Sequence, residues 1–198
     1  FLGVSVPEIY GGLGMDFVST MLVCDYISGA TGSLSTAFGA HTGIGTLPIS
    51  IYGTEEQKKK YVTKLVTGEW FGSYCLTEPG AGSDANSGKT KAVLSEDGTH
   101  YSITGQKMWI SNAGFASVLI VFARIENDKN ITGFIVPNDP SNGITMGEEE
   151  NKLGIHASST RQVFFSETKV PVDHMLAGRG EGFKIAMNAL NVGRIKLG

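Results

Sequence analysis

Residues 101 to 110 alternate between two sets of side chains, Tyr101, Ile103, Gly105, Lys107 and Trp109 on one and Ser102, Thr104, Gln106, Met108 and Ile110 on the other. A period of two belongs to a β-strand and to no helix, so this stretch restricts the chain to folds with a sheet. Val118-Leu119-Ile120-Val121-Phe122 is a short unbroken apolar run of the kind found in buried strands, and Ile131 to Val136 and Gln162 to Phe165 are further candidates. Asp97-Gly98, between Val93-Leu94 and Tyr101-Ser102, marks a hairpin turn, because glycine accepts the positive φ such turns need. Short strands divided by turns predict an antiparallel sheet or barrel rather than alternating β-α units.

On either side the period is helical. After the turn-rich Pro7 to Gly14, Asp16 is placed to cap a helix carrying Val18, Met21, Leu22 and Tyr26, with a break at Gly29 to Gly32. Leu34, Ala37, Phe38 and His41 follow at helical spacing, and Pro48 opens or kinks a further turn. Thr54-Glu55-Glu56-Gln57 is a capping box whose helix should run to about Val66 and stop at Gly68. From Glu181 the helical period returns through Phe183, Met187, Leu190, Arg194 and Leu197, with no stop signal. That pattern predicts a truncated helix. The expected fold is α+β and multi-domain: a partial N-terminal helical domain over 1–70, a central antiparallel β-barrel over 71–178, and the first helix of a C-terminal helical bundle over 179–198.

Charge and cysteine usage narrow the function classes. The net charge is −3 and the 16 basic residues are scattered. The longest basic run, Lys58-Lys59-Lys60, follows Glu55-Glu56-Gln57, an order that supports a solvated helix face through i,i+4 pairs and the helix dipole. Nucleic acid is therefore not an expected partner. Cys24 and Cys75 are lone cysteines in apolar contexts without metal-ligand spacing, read as buried reduced thiols. No apolar run approaches the ~18 residues of a membrane span. No targeting segment is visible, and the chain starts at Phe1 without a methionine, so upstream residues are expected to be missing. Localisation stays open between a bacterial cytoplasm and a mitochondrial matrix.

Gly80-Ala81-Gly82-Ser83-Asp84-Ala85 formally matches a dinucleotide-binding glycine pattern. That chemistry needs a helix next, so that its N-terminal amides meet the pyrophosphate. Asn86-Ser87-Gly88-Lys89-Thr90 are poor helix formers and precede a predicted strand. Gly88-Lys89-Thr90 resembles the tail of a phosphate-binding P-loop, but Ser83 stands where its first glycine should be. Both readings fail. What remains is a loop between β elements, with Thr77 and Ser83 supplying hydroxyls at its ends. Trp109-Ile110-Ser111-Asn112 makes a comparable hydroxyl-rich strand end beside a large aromatic face.

At these residues the chain resembles the acyl-CoA dehydrogenase family. Tyr74-Cys75-Leu76-Thr77-Glu78-Pro79-Gly80-Ala81-Gly82-Ser83-Asp84 is similar to its first flavin signature, and Gly105 to Asn112 to the strand that follows. The similarity runs from Pro7-Glu8-Ile9-Tyr10-Gly11-Gly12 through Leu153-Gly154-Ile155 to Gly182-Phe183, covering essentially the whole chain in order. Several motifs, Asn191-Val192-Gly193-Arg194 among them, most resemble the very-long-chain branch. The resemblance implies FAD between the barrel and the C-terminal bundle. It implies that Tyr74, Cys75, Leu76 and Thr77, with Trp109, Ile110 and Ser111, line the flavin ring. Thr77 and Ser111 would bond its polar edge while Trp109 covers one face. Gly82 and Ser83 would meet the dinucleotide part, and Ser83 also the CoA arm. Asn191 and Arg194 fall at substrate-contacting positions, although Asn191 departs from the acidic residue frequent there.

The reaction the resemblance implies is α,β-dehydrogenation of an acyl-CoA thioester in fatty-acid β-oxidation. A carboxylate removes the α-proton while the β-carbon passes a hydride to the flavin, with an electron-transfer flavoprotein as acceptor. One branch carries that carboxylate directly before the arginine of the terminal helix, where this sequence has Gly193. In the other branches, the very-long-chain one included, the resemblance implies a base in the C-terminal bundle, so it is expected beyond Gly198 and no catalytic residue is assigned within the chain. Glu78 precedes a turn-forming proline and belongs to the signature's architecture; His41, on an apolar stripe, reads as a core histidine. The family also implies a homodimer or homotetramer. The alternatives are an acyl-CoA oxidase or another flavin-dependent relative, and a non-catalytic β-barrel binding module.

Overall fold

The computed structural model describes residues 1–197; Gly198 and the side chain of Leu197 lie outside what it describes. Helix α1, Phe17–Ala30, starts where the sequence predicts, with the Asp16 carboxylate accepting from the Ser19 amide at 2.8 Å. The break falls at Thr31 rather than across Gly29 to Gly32. Gly29 lies inside α1, while Thr31 adopts extended backbone and caps α2, Gly32–Gly39, through its hydroxyl. A π-helical segment, Ala40–Gly45, leads into α3, Leu47–Tyr52, with Pro48 in its first turn. The capping box is present in both directions, Gln57 N to Thr54 Oγ1 at 3.2 Å and Thr54 N to Gln57 Oε1 at 2.9 Å. It opens α4, Glu55–Gln57, followed by a π-helical turn and α5, Thr63–Thr67, which ends at left-handed Gly68.

Eight strands follow: β1 (Gly72–Cys75), β2 (Lys91–Leu94), β3 (His100–Ser111), β4 (Val118–Ile125), β5 (Thr132–Pro137), β6 (Ile144–Glu149), β7 (Thr160–Pro171) and β8 (Met175–Leu176). They pair in the order β6-β7-β3-β2-β4-β5-β8, with β1 also on β4. The Asp97-Gly98 turn joins β2 to β3 as an antiparallel hairpin. The expectation of a wholly antiparallel barrel is corrected in one respect. β1 pairs with β4 in parallel over Val118–Val121, and β2 pairs with β4 in parallel at Arg124 and Ile125. The cause is the stretch between Cys75 and Lys91, which leaves the edge of β4 and rejoins it further along in the same direction. The sheet is therefore mixed.

Two apolar clusters meet back to back across β4. Leu119 and Val121 face the barrel interior with Cys75, Ile103, Phe134 and Val163. Val118, Ile120 and Phe122 face the helices and pack with Ile49, Tyr61, Leu65 and Ile185. Burial on both faces explains why this strand reads as an unbroken apolar run. Helix α6, Gly182–Leu197, closes the second cluster with Ile185, Ala186 and Ala189. Phe183, placed on the apolar face by its spacing, is exposed instead.

His41 joins the π-helical segment to the sheet. Its Nδ1 accepts from the Gly72 amide and its Nε2 donates to the Leu65 carbonyl, both at 3.0 Å. This is the satisfied core histidine the sequence predicts. Behind it Gly45 and Gly72 touch backbone to backbone, and a Cβ on Gly45 would stand 2.8 Å from the Gly72 carbonyl carbon.

Candidate functional site

The chain departs from β1 at Cys75 and returns to the sheet at β2. Alternation along β1 decides which side chains face outward. Tyr74 and Leu76 point toward the helices, and Cys75, between them, points into the barrel. Glu78 and Ala81 then exchange backbone hydrogen bonds at 3.0 and 3.1 Å, which folds the glycine stretch into a tight turn. No α-helix follows, only a single turn at Ala85–Ser87, as the failed dinucleotide reading requires.

The second arm is the end of β3. Opposite β7 the register shifts between Lys107 and Ile110, a bulge that places Trp109 in the left-handed region at φ 57. Such a backbone is rare for a bulky residue and marks a constrained position. The bulge turns the indole out of the barrel, leaving it 63% exposed. Ile110 turns back into the interior, and Ser111 faces the cleft again. The arms are tied at their roots, with the Met108 amide donating to the Thr77 carbonyl at 2.9 Å and the Ser73 hydroxyl to the Ser111 carbonyl at 2.6 Å.

Both arms line one cleft of ≈ 280 Å³. Tyr74, Leu76, Thr77, Gly82 and Ser83 form one wall, and Trp109, Ile110 and Ser111 a second. Ile44 with Met187, Leu190 and Arg194 of α6 closes the third side. Two site residues predicted from the sequence do not join them. The Cys75 side chain is sealed in the barrel, where burial pushes its thiol up to about 12 against the lowering effect of the Lys107 charge. Asn191 is exposed, and its amide oxygen accepts from Arg194 Nη1 at 2.8 Å instead of facing the cleft. Tyr74 couples the barrel to α6, its hydroxyl donating to the Ala186 carbonyl at 3.2 Å. Burial raises that phenol far above its ordinary range.

A second cavity of ≈ 210 Å³ adjoins the first and shares Ile44, Ser111, Leu190 and Arg194 with it. Cys24, Thr36, Gly39 and Ala40 of the helices line it, together with Lys196. The sequence reading missed this chamber. Small residues on α2 at helical spacing were its signal, but they acquire meaning only once α6 lies across them. No carboxylate lines either space among the described residues.

Comparison with known proteins matches the chain in two stretches. Residues 1–69 match the acyl-CoA dehydrogenase N-terminal domain and residues 73–168 its middle domain. The chain belongs to the acyl-CoA dehydrogenase family. A probable acyl-CoA dehydrogenase of Bacillus subtilis is 50% identical over 99% of this chain and 32% of its own length. The human mitochondrial very long-chain specific acyl-CoA dehydrogenase is 40% identical over 97% of the chain and 30% of its own length. An acyl-CoA dehydrogenase from Bacillus anthracis, solved in complex with FAD, superposes with a TM-score of 0.95 at 48% identity, over 99% of this chain and 34% of that one. The chain thus spans about a third of the length of these acyl-CoA dehydrogenases.

Proposed function

We propose that these residues form the flavin-holding and acyl-holding part of an acyl-CoA dehydrogenase. The observation that carries this reading is the convergence of the Thr77 arm and the Trp109–Ser111 arm on one cleft that opens into an apolar chamber. The cleft fits FAD. Thr77 and Ser111 are tied through their backbone carbonyls, leaving the hydroxyls of Thr77, Ser83 and Ser111 on the lining. Trp109 offers an exposed aromatic face, and a Cβ on Gly80 or Gly82 would meet nothing within 4 Å, so the turn leaves room for a ligand.

Bound FAD supplies the two-electron acceptor that side chains lack. Thr77 and Ser111 would hold its polar edge, Trp109 would cover a face, and Gly82 and Ser83 would receive the rest of the dinucleotide. The backbone of Cys75, rather than its thiol, takes part. Arg194 stands at the junction of cleft and chamber and contacts substrate there. The chamber between α2 and α6 takes the acyl chain and keeps water from the reacting carbons. Gly193, directly before Arg194, cannot accept a proton. With no carboxylate lining the cleft or the chamber among the described residues, no base is assigned within them.

In the whole protein the substrate is an acyl-CoA thioester and the electron acceptor an electron-transfer flavoprotein, in a homodimer or homotetramer. The domain division 1–70, 71–178 and 179–198 belongs to this proposal. The full-length protein should purify yellow, and anaerobic acyl-CoA should bleach its flavin band. Fast reoxidation by dioxygen in place of the acceptor flavoprotein would make it an oxidase. Failure to take up FAD at all would sink the reading.

A further inference from the structure

The ladder along β4 has a gap. β1 ends at Cys75, opposite Val121, and β2 resumes at Lys91, opposite Arg124. A broken ladder strips buried carbonyls of their amide partners. Lys107, reaching in from β3, replaces those partners. Its Nζ donates to the Phe122 carbonyl at 2.6 Å, to the Leu76 carbonyl at 3.2 Å and to Glu78 Oε1 at 2.7 Å. All three ammonium protons are used, and the side chain is 1% exposed.

Glu78, 7% exposed, completes the closure from the other end of the excursion. Its carboxylate accepts from the Lys89 amide at 2.5 Å and the Thr90 amide at 3.1 Å. A Cβ on Gly88 would lie 2.9 Å from the same carboxylate, so the returning chain is pressed against it. Burial raises the Glu78 carboxyl, but the Lys107 charge and these donors outweigh that and keep it ionised. One ion pair therefore shuts the departure and the return of the loop. It does so one residue after Thr77 and two residues before Trp109.

We propose that Lys107 and Glu78 are positioning residues for the flavin site, setting the distance between the Thr77 arm and the Trp109–Ser111 arm. The inference rests on the proposed flavin cleft. A buried ion pair rarely adds net stability over an apolar replacement of similar volume, whereas breaking one by removing a single partner is costly. An apolar pair would fill the gap equally well but would leave the Leu76 and Phe122 carbonyls and the Lys89 and Thr90 amides unheld. The aim of both arms would then be lost while the barrel survived.

The test uses full-length apoprotein titrated with FAD and followed by flavin fluorescence, beside thermal unfolding of each variant. Lys107→Met and Glu78→Gln should each lower the melting temperature. The double variant should regain the part of that loss due to the unpaired charge, while the unheld carbonyls keep it below the unsubstituted protein. FAD affinity should stay about 10- to 100-fold down in all three, by analogy with the loss when an outer-shell partner of a metal ligand is removed. Glu78→Asp, which keeps the charge but shortens the reach, should weaken FAD with little change in melting. A double variant that binds FAD like the unsubstituted protein, or an unaltered Glu78→Asp, overturns the proposal. An unsubstituted protein that takes up no FAD overturns the flavin reading instead, so the two failures are distinguishable.

Discussion

Trp109 shows how one backbone angle converts a core residue into a surface for a ligand. The alternation of residues 101 to 110 places it on a strand, and a strand tryptophan is ordinarily packed away. The bulge that turns it outward depends on its register against β7, about fifty residues on, and nothing local announces it. Because the ring is exposed, its removal should leave the fold almost untouched. Trp109→Ala is expected to weaken FAD by roughly 1 kcal/mol, about fivefold, at nearly unchanged melting temperature. Titration of apoprotein with FAD checks it. Cys75 is the opposite case, since its position in the signature was legible and its direction was not. His41 adds a pH dependence. Burial lowers it from 6.5, against a weaker raising effect of the Leu65 carbonyl. His174 is lowered as well, by burial and then by the Lys60 charge. Below 6.5 the unfolded chain takes up protons that the folded chain refuses, so stability is full above that value and falls as pH drops toward the lowered folded values. Denaturant midpoints should decline from neutrality toward pH 5, and His41→Asn should flatten the slope. A midpoint independent of pH across that window would contradict this account.

Elements were legible where their signals are local. Asp16 and the Thr54–Gln57 box predicted two helix starts because a cap needs only residues three apart. Thr54→Ala removes the hydroxyl that accepts from the Gln57 amide, leaves the bond from the Thr54 amide to Gln57 Oε1, and should cost about 1 kcal/mol, measured as a lowered denaturant midpoint at unchanged slope. The Asp97-Gly98 hairpin was legible for the same reason. The parallel pairing of β1 and β2 with β4 was not, because it depends on where the Cys75–Lys91 excursion rejoins the sheet. The π-helical segment at Ala40–Gly45 was also hidden, its sequence differing little from an ordinary helix. It exists where backbone must lie against backbone, at Gly45 and Gly72. Neither side of that contact is a flexible side chain that could yield. Gly45→Ala should therefore destabilise by about 1–3 kcal/mol, the usual cost of overpacking, and should perturb Ile44 on the cleft wall.

At the scale of the whole molecule, the cleft exists because helices from both ends of the chain share one apolar cluster against the sheet. Sequence reading gave α6 its period but aimed Phe183 inward, whereas Ile185, Ala186 and Ala189 make the contact. The inward face of a helix is fixed by what it lies on, and here that is Tyr74, Phe122 and Ile135 from three different strands. Ile185 is fully buried in this contact, two residues before Met187 and more than one turn before Leu190 and Arg194 on the cleft wall. Ile185→Ala should cost about 2–5 kcal/mol, the range for emptying a buried isoleucine site. If α6 were merely a lid, that loss would appear as local fraying, with the barrel and α1–α5 melting as before. A shared cluster demands a different outcome. The barrel and the N-terminal helices should lose hydrogen-exchange protection together, and FAD affinity should fall with them because the third wall of the cleft shifts. Protection lost in α6 alone, with the rest of the chain unchanged, would show that the cluster does not bind the two ends into one unit.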